Sequence, residues 1–168
     1  MTTIRNPKEL FVALLSNVRH REERVTEILK EVSEVAKDPH IKEALESRVF
    51  LKSQMLDSLD RCFKLIGEKP TKQDTRLHDM FVEDFRKELA AIESPVAKHL
   101  FVLAKVKHLV HLHIGEYVAL TAMADITKHF GVGVLLEACL AENMAFVERT
   151  RRVIRRIVEH EIGERLAA

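Results

Sequence analysis

Apolar residues recur at helical spacing along most of this chain, and charged residues break the pattern at only a few places. Phe11, Val18, Val25 and Val32 follow one another every seven residues beside a second stripe of Leu15, Glu22, Leu29 and Ala36. Two adjacent stripes with a period of seven predict an amphipathic helix from about Pro7 to Ala36, with Glu22 at a position where the pattern asks for leucine. The next segment repeats the design. Val49, Leu56 and Phe63 lie beside Leu45, Lys52, Leu59 and Ile66, so a second helix runs from about Pro39 to Ile66 with Lys52 on its apolar seam. A shorter helix from about Asp74 to Ala91 carries Leu77, Phe81, Phe85 and Leu89 at spacing four. A fourth runs from Pro95 through Leu103, Val110, Ile114, Tyr117 and Ala124 to Gly131. The fifth follows with Leu136, Leu140, Val147, Ile154 and Ile157, interrupted at its seam by Asn143 and Thr150 and fraying near Gly163.

Punctuation supports these boundaries. Asn6-Pro7, Asp38-Pro39 and Ser94-Pro95 each set a capping side chain before a proline suited to the first helical position. Gly67 and Pro70 close the second helix, and Gly131-Val132-Gly133 is expected to turn the fourth into the fifth. Two long hairpins joined by a crossover that bears a short helix make an all-α, four-helix bundle whose topology is ferritin-like rather than up-and-down. Centring the first hairpin on Lys37-Asp38 puts Glu22, Lys52 and Ser53 in one layer. Centring the second on Gly131-Val132 puts Glu116 at similar depth, opposite Val147, with Asn143, Glu148 and Glu142 as its polar neighbours.

Composition narrows the class. With 168 residues, 46% of them hydrophobic and 32% charged, the expectation is one bundle domain over residues 1–168. The formal net charge of +1 gives no global pull towards nucleic acid or an anionic membrane. The N-terminus lacks a basic segment followed by an apolar core, and no uninterrupted apolar run approaches the roughly 20 residues of a membrane span. These features predict a soluble cytoplasmic protein with no membrane partner. Cys62 and Cys139 both fall on apolar stripes and suit reduced core thiols.

The densest chemistry is Lys107 to Glu116, KHLVHLHIGE. His113 and Glu116 lie three residues apart, so a helix presents them on one face, within reach of one ion. His108 and His111 suit surface positions. Arg149, Arg151, Arg152, Arg155 and Arg156 crowd the fifth helix, a possible phosphate-binding face, but no aromatic residues interleave to stack on bases, and Glu148, Glu159 and Glu161 are at hand as ion-pair partners.

The opening NPKELFVALLSNVRHREERV, the link LIGEKP, the segment HIGEYVAL, and HFG followed by LLEACLAEN together resemble the YciE/YciF family of bacterial ferritin-like proteins over nearly the whole chain. That resemblance implies a ferritin-like bundle, usually dimeric, linked to stress responses, with a carboxylate and histidine dimetal site. Its helix 1 glutamate falls on Glu22, its helix 4 acidic pair on His113 and Glu116, and its helix 5 acidic cluster is reduced to Glu142 beside Asn143. The helix 2 glutamate and histidine fall on Phe50 and Ser53. Such a centre needs roughly six protein ligands from four helices. The ammonium of Lys52 in that layer can instead neutralise Glu22 and Glu116.

Three readings follow. One is a non-enzymatic, stress-associated homodimer with a degenerate metal site. Another is a non-haem iron or manganese oxidase or peroxidase, or a metal-binding protein, with Glu22, His113, Glu116 and Glu142 as ligands. The last is a binding module that uses the arginine face. The first is preferred, since Phe50 and Ser53 stand where the resemblance puts the helix 2 ligands and the ammonium of Lys52 would repel an incoming cation; no nucleophile triad, phosphate loop or dinucleotide-binding glycine motif occurs.

Overall fold

A computed structural model describes residues 4–35, 39–71 and 76–167. Its elements are α1 (Pro7–Val35), α2 (Pro39–Ile66), α3 (Arg76–Ala90), α4 (Pro95–Ile126) and α5 (Phe130–Ala167), with no strand among the described residues. The most extensive packing joins α4 to α5 and α1 to α2, and the two pairs meet through α1 with α4 and α2 with α5. Four long helices therefore close one bundle. The short α3 lies against α1 and α4, burying Val82 and Phe85 and held at its rim by Asp79 with Arg24 (3.0 Å) and Glu88 with Lys105 (2.6 Å).

The caps act as their sequence suggests. Asn6 Oδ1 accepts from the Glu9 amide at 2.9 Å while the Glu9 carboxylate reaches back to the Arg5 amide at 2.7 Å, a reciprocal cap that satisfies donors at both ends. Ser94 accepts from the Ala97 amide at 3.3 Å. The expected Lys37-Asp38 turn lies outside the described residues. Gly67, at φ 69°, ends α2 in the left-handed conformation, with the Glu68 amide donating to the Phe63 carbonyl at 3.1 Å and the Gly67 amide to Lys64 at 3.3 Å.

Two boundaries differ from the sequence reading. The fourth helix stops at Ile126, not Gly131, and Gly131 and Gly133 belong to α5. Lys128, at φ 59°, takes the left-handed position; the His129 amide donates to the Ala124 carbonyl at 2.8 Å and the Lys128 amide to Asp125 at 3.1 Å. The same C-terminal motif that glycine makes in α2 is thus made by a lysine in α4, so glycine was a misleading marker. At the other end α5 continues through Gly163 to Ala167.

The core comprises two apolar clusters with a polar layer between them. One gathers Phe11, Leu15, Leu59, Phe63, Leu120 and Leu136 near the α4–α5 turn; the other gathers Val25, Leu29, Leu45, Leu109, Val110 and Phe146 towards the opposite end. Cys62 and Cys139 are free and buried, and burial raises their thiols to about 12 and about 11, so both stay protonated. By length and composition α5 is apolar enough to cross a membrane, with a mean hydropathy of 1.6 in its most apolar window. Glu137 and Glu142 interrupt this stretch, so it holds no long unbroken apolar run. In this fold α5 packs along α4 and α2.

Candidate functional site

The residues that broke the hydrophobic stripes meet in the polar layer. Glu22 of α1 and Lys52 of α2 are both 0% exposed, and the Lys52 ammonium is hydrogen-bonded to Glu22 Oε2. The other carboxylate oxygen, Oε1, accepts from the Tyr117 hydroxyl at 3.1 Å and stands 3.0 Å from His113 Nδ1, two residues one turn apart on α4. A carboxylate can only accept, which assigns the proton to Nδ1 of the histidine. Asn143 of α5 stands on the far side: its Oδ1 accepts from Lys52 Nζ at 3.4 Å and from Arg48 Nη2, and its amide donates to the Cys139 carbonyl at 3.0 Å. All four long helices contribute, and Glu22 is the single buried carboxylate among the described residues.

Helical phase explains who is present. Lys52 stands at the heptad position shared by Leu45 and Leu59, and Arg48, one turn before it, points the same way and is 1% exposed. Phe50 and Ser53, onto which the family's helix 2 ligands were carried, lie on the outer face; Phe50 is 63% exposed and Ser53 bonds only the Phe50 carbonyl among the described contacts, at 2.7 Å. On the second hairpin the displaced turn makes the difference. His113 and Asn143 lie fifteen residues before and after Lys128, so they share the layer, and Glu116 is moved almost one turn along α4.

Of the four ligands expected from the sequence, Glu22 and His113 are therefore brought together and the other two are not. Glu116 pairs with Arg21 at the rim of a groove of about 400 Å³ between α1 and α4, whose inner wall includes His113. Glu142, with half of its side chain exposed, faces Arg149 at 3.8 Å. Arg48 escaped the sequence reading, although it occupies a seam position three residues after Leu45 and four before Lys52.

The family described as "Domain of unknown function (DUF892)" matches residues 6–163. The chain belongs to that family. This agrees with the YciE/YciF resemblance, and solved structures share the fold. The E. coli stress protein YciF superposes with a TM-score of 0.87 at 15% identity, covering 93% of this chain and 99% of that one. YcfI of Rhodopseudomonas palustris, a candidate structural protein, gives 0.83 at 21% identity over 88% and 94%, and a Xanthomonas campestris protein gives 0.71 at 17% over 96% and 99%. No curated protein sequence matches the chain.

Electrostatics decides what this DUF892 site can do. Burial alone would raise the Glu22 carboxyl, but His113 and Lys52 outweigh it and hold the group well below the usual carboxylate range. Burial pulls the Lys52 ammonium down to about 8, against the attraction of Glu22, which still leaves it mostly charged at neutral pH. The His113 ring is pushed below the usual histidine range, chiefly by burial, so at neutral pH it serves Glu22 as a neutral hydrogen-bond donor, and its charge holds the carboxyl down once acid protonates the ring. Tyr117 is raised well above 10, again chiefly by burial, and remains a neutral donor. The carboxylate is thus met by one cation and two neutral donors.

A dimetal carboxylate centre needs several carboxylates converging on two cations. Among the described residues no three His, Cys, Asp or Glu side chains converge, and an ammonium already sits against the one buried carboxylate. As arranged, the donor set fits an internal ion cluster and does not fit a dimetal centre.

Proposed function

We propose that this DUF892 protein is a non-catalytic, stress-associated member of the ferritin-like bundles, a cytoplasmic homodimer with a binding or structural role, in which a self-neutralising ion cluster stands where a metal site would be. One observation carries the reading. Lys52, 0% exposed, holds Glu22 Oε2 while Tyr117 and His113 hold Oε1, so the carboxylate has both oxygens engaged by the chain's own donors. The description of YciF as a stress protein supports the association with stress, and that of YcfI supports a structural role. Ile126, Phe130 and Val134, from 64% to 75% exposed around the α4–α5 turn, are the apolar surface a second copy would cover.

The competing reading is an iron or manganese protein using Glu22, His113, Glu116 and Glu142, favoured by the adjacency of Glu22 and His113. Protein grown in iron- and manganese-supplemented medium, sized by light scattering and analysed for metal, separates the two. The expected result is a dimeric mass with metal far below one equivalent. Near-stoichiometric metal that disappears in Glu116→Ala would overturn the ion-cluster reading, and a monomeric mass at all concentrations would remove the dimer.

A further inference from the structure

We propose that Arg48 and Arg149 form a binding site for a small oxyanion on the flank of α5, beside the Glu22 cluster. The buried layer holds two cations, Arg48 and Lys52, and one carboxylate, Glu22, whose oxygens are already engaged by Lys52, Tyr117 and His113. The positive excess rests on Arg48. Its guanidinium lies over the Phe146 ring, 4.3 Å from the centroid, and Nη2 donates to Asn143. Nε and Nη1 are buried and have no hydrogen-bond partner among the described residues. Guanidinium does not lose its charge in a protein, and buried donors left unbonded are expensive, so this group is built to receive an acceptor.

The second cation follows from helical spacing. Asn143, Phe146 and Arg149 succeed one another at intervals of three on α5, so the residues that bond and stack on Arg48 are continued towards the surface by Arg149, whose side chain is half exposed. Burial and, less strongly, the charge of Arg149 push the Arg48 guanidinium down to about 10, against the attraction of Glu22. Glu142, also half exposed, faces Arg149 at a loose 3.8 Å. Two guanidinium groups, one of them dry, match an anion that offers several oxygens; a halide has a single acceptor centre and cannot satisfy both in the same way.

The test is thermal unfolding of the full chain titrated with inorganic phosphate, and separately with acetate, at constant ionic strength made up with chloride. A saturable rise in Tm with phosphate or acetate is expected, since a ligand that binds the native state alone stabilises it by mass action. Phosphate but not acetate assigns an inorganic anion, and the reverse assigns a carboxylate. Arg149→Ala, a surface change that leaves the fold intact, should weaken the apparent affinity about tenfold or more, the loss of one charge-assisted hydrogen bond. Arg48→Met should abolish saturation, and Arg151→Ala, whose partner is Glu148, should leave affinity unchanged. Equal shifts with chloride, or equal affinity in Arg149→Ala and the native chain, would mean an adventitious ion only and would overturn the site. Saturable binding seen in Glu142→Gln and absent from the native chain would overturn it as well, because the protein's own carboxylate would then be the occupant.

Discussion

Lys52 is the residue on which the centre of the molecule turns. A buried ion pair need not stabilise a fold relative to apolar packing, but removing one member strands the other charge in a dry interior. Lys52→Ala is therefore expected to destabilise the protein by about 3 kcal/mol or more, measured by urea denaturation. Glu22→Gln combined with Lys52→Met, which removes both charges and keeps an acceptor for Tyr117, should recover at least about 2 kcal/mol of that loss. A change within about 0.5 kcal/mol for Lys52→Ala alone would mean that the pair contributes nothing. Much of this site was legible in the sequence. Glu22 and Lys52 interrupt leucine stripes, and a charge on a heptad seam has to find a partner. Arg48 is hidden because it falls between the two heptad stripes of the second helix, and Glu116 lies off the layer because the turn comes about three residues before the glycines that suggest it.

At the scale of elements, the legible features were those written as local chemistry. Asn6-Pro7 and Ser94-Pro95 start helices because a capping oxygen and a fixed φ act within one turn, and Gly67 ends one because a residue without a side chain enters the left-handed region freely. The end of α4 follows the same rule with the less suitable residue. Lys128 holds φ 59°, a conformation that crowds a β-carbon against the backbone. Lys128→Gly is expected to stabilise the protein by about 1 kcal/mol, read as a higher midpoint in denaturant with an unchanged slope, whereas Gly67→Ala should cost a similar amount. A loss of stability in Lys128→Gly would show that the lysine side chain does more at this turn than its exposed position suggests.

For the whole molecule, the buried carboxylate links stability to acidity. The ordinary value for Glu22 is near 4.5. Burial would raise it, but His113 and Lys52 bring it well below that figure in the native state. As pH falls below about 4.5, the unfolded chain takes up a proton that the native chain refuses, so the unfolded state binds more protons and stability falls with pH. Denaturation followed from neutral pH down to about pH 3 should show this loss, and Glu22→Gln should show a shallower one; parallel profiles would mean that Glu22 does not titrate differently in the two states.

The position of the charges within their stripes has one more consequence. Glu22 is flanked at seven residues on either side by Leu15 and Leu29, and Lys52 by Leu45 and Leu59, all buried. Leucine against leucine reads the same at every heptad, so the apolar seams alone would tolerate α1 and α2 sliding past each other by two turns. The single acid and the single amine remove that degeneracy: in any slipped alignment each would face a leucine, at a cost of several kcal/mol per stranded ion. The pair thus works as a key that admits one registry of the hairpin and rejects its neighbours.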